Sequence, residues 1–280
     1  MTRHYGMSQR FRLSSALWVP GLGGAIFLIL ADAPLTLAAT NLAALALALG
    51  AILTGGSWCG PTARRVVGVV LVALLALPIV TGPEVDGVAR WLPLGTMALH
   101  SGMVAVPLLA VCAAGDKRWG AVMLSAAMIC AAIQPDAASA LALALTAATL
   151  ALVSRRRTMT LAAGLGAIAV VVALRSAGPP AHPFVEGVFD QIWAIEPIAA
   201  LLLGATLAWS AFVLLTLGAR SRPPALASAA ALVGFIAMAF FGPYPTPLIG
   251  YGAAPFIGFG LAFASLTRFA ARDAAGGLSR

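Results

Sequence analysis

A series of long apolar runs constrains the fold of this chain more than any other feature. Ten runs, separated by short polar or Pro/Gly breaks, cover residues 15–32, 36–54, 66–82, 94–113, 120–133, 137–153, 159–174, 196–217, 225–242 and 253–267. A helix of about 20 apolar residues crosses a bilayer, and the shorter runs need shielding by neighbours or extension into their flanks. With 61% hydrophobic and 9% charged residues, the composition excludes a soluble domain. The sequence predicts an all-α polytopic membrane protein.

About ten transmembrane helices, with nine as the alternative count, are expected to form one integral membrane domain over residues 1–280. Basic residues predict its orientation: with the N-terminus inside, 15 of the 17 Lys and Arg residues fall in cytoplasmic segments, and Arg90 and Arg175 fall outside. The positive-inside rule then places both termini in the cytoplasm. Seven of the nine acidic residues lie on the outer side, which is where carboxylate chemistry is expected.

The net charge of +8 is spread in small groups over the inner loops. This pattern indicates orientation signals and contact with anionic lipids, and we expect no nucleic-acid partner. Three cysteines, Cys59, Cys112 and Cys130, lack CxxC or Cys/His spacing and predict neither a metal site nor a disulfide framework. The basic N-terminal segment has the form of a signal peptide, but nine further runs follow the first one, so we expect an uncleaved first helix.

The longest outer loop, RSAGPPAHPFVEGVFDQIWAIEP (175–197), contains four prolines and several large apolar residues. Prolines prevent a continuous helix, and the apolar residues predict that the loop folds back over the bundle, partly in the membrane interface. Glu186 and Asp190 are spaced i, i+4 and would share one face of a short helix. A carboxylate near an apolar surface has a raised pKa and can act as a general base or bind a cation. The alternative is a solvated loop with inert acids.

The last outer loop, FFGPYPTPLIGYGAAPFIGFG (241–260), is interrupted by prolines and glycines. Irregular backbone at membrane depth is tolerated only where it is buried in protein or lines a cavity. A segment over 242–255 that re-enters the bundle is therefore expected, either as a structural turn or as a substrate-lining wall.

Four segments have a characteristic order and spacing. They are ARWLPLG (89–95), IQPDAASALAL (133–143), IEPIAALLL (195–203) after the acidic loop, and YPTPLIGYGAAPFIGFGLAFASL (244–266). Together they resemble the SEDS family, the ten-helix peptidoglycan polymerases of cell division and cell shape. The resemblance spans about residues 89 to 268, while the first three runs match only in number and hydrophobicity.

This resemblance implies a SEDS-like bundle in the bacterial inner membrane that joins lipid-linked disaccharides on the outer face, usually with a transpeptidase partner. In that family an Asp of the long outer loop deprotonates the attacking sugar hydroxyl. The implied residues here are Glu186 or Asp190 as the base, Arg90 and Arg175 near the diphosphate, and Gln134, Asp136 and Tyr251 around the substrate. No cofactor is implied with certainty, although a divalent cation is compatible with carboxylates and a phosphate substrate.

The sequence also departs from the family pattern. The family's Asp aligns with Gly187, so Glu186 is one residue away and Asp190 three. The family's QPSE becomes His100-Ser101-Gly102-Met103, which removes an acid. An ionisable residue inside a membrane is a functional candidate by default. Because Met103 replaces the acid, we expect a neutral His100 that makes an interhelical hydrogen bond, in preference to a proton-carrying role.

Three functional hypotheses follow from the sequence. The first is a divergent SEDS-like glycosyltransferase. The second is a catalytically silent SEDS-like accessory or scaffold subunit that binds another membrane protein. The third and weaker one is a flippase or transporter for lipid-linked sugars, since the apolar runs offer few ionisable residues besides His100 to line a path.

Overall fold

The computed structural model describes residues 2–55, 60–95, 97–176, 181–218 and 223–276, so Cys59 lies outside the described residues. The described chain is helical except for one short β-hairpin and the connecting segments. The elements are α1 (Thr2–Leu30), α2 (Leu35–Thr54), α3 (Pro61–Thr81), β1 (Trp91–Leu94), β2 (Met97–His100), α4 (Ser101–Gly115), α5 (Gly120–Ile133), α6 (Ala137–Ser154), α7 (Arg157–Ala173), α8 (Val188–Ile195), α9 (Pro197–Gly218), α10 (Pro223–Phe241) and α11 (Ala254–Gly276).

Ten of these helices correspond in order to the ten predicted spans, and α8 lies in the predicted outer loop. Six helices, α1, α2, α3, α6, α9 and α10, are long and apolar enough to cross a membrane, while α4, α5, α7 and the Ala254–Thr267 part of α11 are shorter apolar helices. The prediction of an all-α polytopic membrane protein is confirmed. The short helix α4 is buried from Ser101 to Ala113, which is the shielding by neighbours that its length requires.

The start of the fourth span differs from the prediction. Residues expected at the beginning of a helix over 94–113 instead form the hairpin, in which Trp91 pairs with His100 and Leu94 with Met97. The Ser101 backbone N–H donates to the Arg90 carbonyl at 2.9 Å, which closes the hairpin where α4 begins. The apolar hairpin could not be distinguished from a helix by hydropathy, because both consist of apolar residues.

Small residues bring the helices close together. A Cβ atom on Gly166 of α7 would lie 2.7 Å from the Cβ of Ala144 of α6, and one on Gly234 of α10 would lie 2.5 Å from the Cα of Ala142. Helix α6 packs between α7 and α10, and α4 contacts α3, α10 and α11. Such close approach lets dispersion forces hold helices together in a solvent that is itself apolar.

The predicted cytoplasmic ends of α3 and α4 are joined by an ion pair. The Nε of Arg65 lies 2.7 Å from the carboxylate of Asp116, which also accepts the backbone N–H groups of Arg118 and Trp119. Burial alone would raise the pKa of Asp116, but these two N–H groups and the Arg65 charge together lower it. The carboxylate therefore fastens the turn between α4 and α5 to α3.

Candidate active site

Two irregular outer segments pack against each other at the predicted outer end of the bundle. Glu186 and Pro245 form an isolated bridge, and the Thr246 N–H donates to the Val185 carbonyl at 3.0 Å. The Tyr251 N–H donates to the Phe184 carbonyl at 2.6 Å. The 181–187 loop is thus joined by main-chain hydrogen bonds to the 242–253 segment, which lies between α10 and α11.

The 242–253 segment reaches into the bundle. Leu248 and Ile249 are fully buried, and a Cβ on Gly24 of α1 would lie 2.6 Å from the Cα of Ile249. The backbone here is irregular and buried, and Pro245, Thr246 and the residues from Tyr251 to Ala253 also line a cavity. Its backbone is therefore both packed against helices and available to form a binding wall.

Helix α8 separates the two candidate carboxylates. Gly187 has a left-handed backbone (φ 64°), and α8 begins only after it, so Glu186 is outside the helix. Val188 and Ile192 are fully buried, so their side chains fix which face of α8 is turned inward. Burial of each such side chain stabilises this orientation by about 1.5–3 kcal/mol. Asp190 is exposed on the other side. The expectation that Glu186 and Asp190 share one helix face is therefore wrong, because the helix begins too late to include Glu186.

Glu186 is a buried carboxylate with a defined orientation. The residue is 5% exposed, and its Oε2 accepts the backbone N–H of His182 at 2.7 Å. Its carbonyl accepts the side-chain amide of Gln191 at 2.8 Å, which ties the loop to α8. Burial raises the pKa of the Glu186 carboxyl, although the His182 N–H and the charge of Arg90 each lower it.

A cavity of about 510 Å³ opens between the hairpin, the 181–187 loop and the 242–253 segment. Glu186 lines it together with His100, Tyr251 and Trp91, and Asp86 contributes a second carboxylate. Among the described residues that line the cavity there is no Lys or Arg. The structure brings together Glu186, Tyr251 and His100 of the predicted site, whereas Gln134, Asp136, Asp190 and both arginines do not line the cavity.

Arg90 lies behind the cavity wall. It is 1% exposed, its guanidinium carbon lies 4.8 Å from the centre of the Trp91 ring and 5.2 Å from that of Tyr244, and its Nε has no hydrogen-bond partner. Desolvated cation–π contacts of this kind contribute about 2 kcal/mol. Arg175, by contrast, is exposed just beyond α7. The two arginines are therefore not placed as a pair that faces the cavity.

His100 and Asp136 cap two helices that begin side by side. The Nδ1 of His100 accepts the Met103 N–H at 3.2 Å, and Asp136 accepts the N–H of Ser139 at 3.2 Å and the hydroxyl of the same residue. The Nε2 of His100 lies 3.6 Å from Asp136 and has no hydrogen-bond partner, so the expected interhelical hydrogen bond is not formed. Gln134 is buried and donates to the Leu75 carbonyl. These residues connect helix ends beneath the cavity.

Sequence reasoning missed Asn41 of α2. Its side chain is 1% exposed, donates to the Gly250 carbonyl at 3.0 Å and accepts the Gly252 N–H at 2.9 Å. A lone amide in the apolar run 36–54 was the available signal, because polar residues inside membrane helices are retained where they have partners.

Comparison with known proteins identifies the fold. No family model and no curated protein matches the sequence. Among solved structures, the Rod shape determining protein RodA of Thermus thermophilus matches with a TM-score of 0.64 and 17% identity, over 93% of this chain and 96% of that one. A single Asp-to-Ala mutant of the same protein gives a TM-score of 0.65 with 18% identity, over 94% and 96% of the two chains.

A further neighbour is a chain from a peptidoglycan synthase complex, studied for its coordination of polymerization and crosslinking. It matches with a TM-score of 0.58 and 20% identity, over 91% of this chain and 97% of that one. Because the alignments cover more than 90% of this chain and of each matched chain, the similarity extends over nearly the whole fold. The chain has a SEDS-like, RodA-like fold, as the sequence resemblance predicted.

Proposed function

We propose that this chain is a SEDS-like membrane protein of bacterial cell-envelope synthesis, and that it joins lipid-linked sugars by glycosyl transfer with Glu186 as the general base. One observation carries the proposal: on a RodA-like fold, a buried carboxylate with a raised pKa lines a cavity of about 510 Å³ at the predicted outer face. A carboxylate with a raised pKa is suited to accept a proton during catalysis.

The chemistry assigned to Glu186 is the activation of a sugar hydroxyl. The hydroxyl oxygen of the acceptor attacks the anomeric carbon of the donor, its proton passes to the Glu186 carboxylate, and the bond from the anomeric carbon to the lipid diphosphate breaks. The diphosphate leaves with the bond's electron pair. The His182 N–H holds Oε2 of Glu186, so the other carboxylate oxygen is the one that receives the proton.

The diphosphate requires positive charge that the described cavity lining does not supply. Arg90 and Arg175 were predicted to bind it, but Arg90 is 1% exposed behind the Trp91 ring and Arg175 does not line the cavity. We therefore expect a divalent cation to accompany the substrate. Magnesium is commonly held by one or two carboxylates together with substrate phosphates, and Asp86 is a carboxylate of the cavity lining that the proposed base leaves available.

A second candidate function has its own support. The lack of Lys and Arg in the described cavity lining favours a catalytically silent SEDS-like subunit that binds another membrane protein. For both candidate functions we propose a multi-pass protein of the bacterial inner membrane with the N-terminus inside and a transpeptidase-type partner. For the enzyme we also propose a lipid-linked sugar precursor as the substrate. The neighbour from a peptidoglycan synthase complex supports the partner proposal.

Glu186→Gln and Asp190→Asn provide a matched test. Both substitutions remove a carboxylate from the same outer loop, but Glu186 is buried in the cavity wall and Asp190 is exposed. In purified protein supplied with a lipid-linked disaccharide and Mg²⁺, we expect Glu186→Gln to reduce polymerisation by roughly 10²–10⁴-fold, as for loss of a general base. Asp190→Asn should retain wild-type activity.

Full activity of Glu186→Gln would show that Glu186 is not the base. A wild-type protein without transferase activity that co-purifies with a stoichiometric membrane partner would favour the silent subunit.

A further inference from the structure

The buried amide of Asn41 connects a membrane helix to the cavity wall. Its Nδ2 donates to the Gly250 carbonyl at 3.0 Å and its Oδ1 accepts the Gly252 N–H at 2.9 Å. An amide has one acceptor and two donor hydrogens, so a single Asn can bind a carbonyl and an N–H on the same strand of backbone. The two bonds enclose one residue, Tyr251, whose side chain lines the cavity.

The backbone between these bonds has a conformation that the side chain of Asn41 helps to maintain. Gly252 has φ 145°, a region that residues with a Cβ rarely adopt. Loss of the Asn41 amide would remove the partner of the buried Gly250 carbonyl and of the half-buried Gly252 N–H. Buried backbone groups without partners are costly, so the segment would move to recover hydrogen bonds elsewhere.

The same segment holds the loop that carries Glu186. The Tyr251 N–H donates to the Phe184 carbonyl at 2.6 Å, and the Thr246 N–H donates to the Val185 carbonyl at 3.0 Å. Glu186 itself forms the bridge to Pro245. A continuous set of hydrogen bonds therefore runs from α2 through the 242–253 segment to the residue proposed as the base.

We propose that Asn41 is a positioning residue: by holding Gly250 and Gly252 it places Tyr251 in the cavity wall and, through the 242–253 segment, sets the position of the Glu186 carboxylate. Asn41 does not line the cavity, whereas its neighbour Thr40 does. This role rests on the proposed function of Glu186, but the placement of the two segments is measurable without it.

Two variants test this role, one by changing Asn41 and the other by changing the backbone that it holds. Asn41→Leu removes both hydrogen bonds at similar volume. Gly252→Ala keeps Asn41 but disfavours the backbone conformation, and it adds no clash because no atom lies within 4 Å of the new Cβ. Ser210→Ala is the control, because Ser210 is also fully buried and makes a side-chain bond across the bundle, at 2.8 Å to the Ala16 carbonyl, away from the cavity.

Amide hydrogen exchange in the full-length protein in detergent is the first measurement. We expect Asn41→Leu and Gly252→Ala to speed exchange about tenfold or more in the 245–253 peptide, which contains the Thr246 and Tyr251 donors, and in the 181–187 peptide, whose carbonyls accept them. Ser210→Ala should leave both peptides unchanged. Unchanged exchange in both peptides of Asn41→Leu would overturn the proposal.

The second measurement is steady-state glycosyl transfer with the lipid-linked disaccharide. We expect kcat to fall by the order of 100-fold in Asn41→Leu, because misplacing a catalytic group by about 1 Å has an effect of that size. KM should change much less, because Asn41 is outside the cavity. Faster exchange with an unaltered kcat would also overturn the proposal. If the wild-type protein transfers no sugar, the proposed function fails, and the exchange measurement alone decides whether Asn41 holds the two segments.

Discussion

At the scale of single residues, sequence reasoning found the candidate base but not what surrounds it. Glu186 was identified because a carboxylate stood in an apolar outer loop, and the structure buries it in a cavity wall. Arg90 was expected to face phosphate, yet its guanidinium is buried in contact with the rings of Trp91 and Tyr244. Asn41 was overlooked because its partners, Gly250 and Gly252, are distant in sequence. Residue type is readable from a sequence, whereas the partner that a buried group finds depends on tertiary packing.

The raised pKa of Glu186 predicts how stability depends on pH. A carboxyl whose pKa is higher in the folded state binds its proton more tightly there. The stability gained from this tighter proton binding is complete below the unfolded-state pKa of about 4.3, and it is lost as the pH rises through the folded-state pKa. Glu186→Gln keeps the acceptor for the His182 N–H but carries no charge. We expect its melting temperature to exceed that of the wild type by a few degrees at pH 8 and to converge with it near pH 4.

Asp190→Asn is the matched comparison for that measurement, because the carboxylate of Asp190 is exposed. At pH 8 its melting temperature should match that of the wild type. A Glu186→Gln variant that is less stable than the wild type at pH 8 would contradict the expectation, since it would mean that the charged form is the favoured one in the folded state.

At the scale of elements, hydropathy located the spans but not their ends. The run beginning at residue 94 was read as one helix, while the structure divides it into β2 and α4 at His100. The boundary depends on hydrogen bonds, the capping of Met103 by His100 and the bond from Ser101 to Arg90, which hydropathy does not detect. The late start of α8 likewise depends on the backbone of Gly187. By contrast, the irregular segment before α11 was predictable, because prolines and glycines interrupt a helix wherever they cluster.

The contact between α1 and the 242–253 segment is testable with one methyl group. Gly24→Ala would place a Cβ 2.6 Å from the Cα of Ile249, where backbone must move to make room. We expect a loss of about 1–3 kcal/mol in stability, the usual cost of overpacking. Thermal unfolding of the purified protein in detergent measures it, and a lowered melting temperature is the expected result.

Gly50→Ala is the control for that substitution. Gly50 also lies within a helix, α2, and no atom lies within 4 Å of its added Cβ. Because Ala favours helix over Gly, this variant should be as stable as the wild type or more stable by up to about 1 kcal/mol. Equal melting temperatures for Gly24→Ala and Gly50→Ala would mean that the 242–253 segment is not in close contact with Gly24.

At the scale of the whole molecule, polar groups gather at the two ends of the bundle. The ion pair of Arg65 and Asp116 lies where α3 begins and α4 ends, and the cavity with Glu186 lies where α4 and α11 begin. This division was predictable from the charges of the loops, and the architecture was predictable from motif order, which the RodA-like fold at 17% identity confirms. The chemistry of the cavity was less predictable, because it depends on which side chains of separate loops meet.

Orientation in the membrane is a prediction for the whole molecule. In a variant whose three cysteines are replaced by alanine, a single cysteine at His182 or at Lys117 reports on opposite ends, since both positions are exposed. With the N-terminus inside, a membrane-impermeant maleimide added to intact spheroplasts should label His182→Cys and not Lys117→Cys. Permeabilised cells should label both, and the reverse pattern in intact cells would contradict the predicted topology.

The two outer segments are joined by peptide groups rather than by side chains. The bonds from Thr246 to Val185 and from Tyr251 to Phe184 connect main-chain atoms, which every amino acid except proline supplies. Neutral substitutions can therefore change most side chains of both segments without moving the Glu186 carboxylate. Natural selection then has few positions to preserve there, foremost the Glu186 carboxylate and the backbone of Gly252, together with the amide of Asn41 in α2, and variation among descendants of this chain should accumulate at the other positions of the two segments.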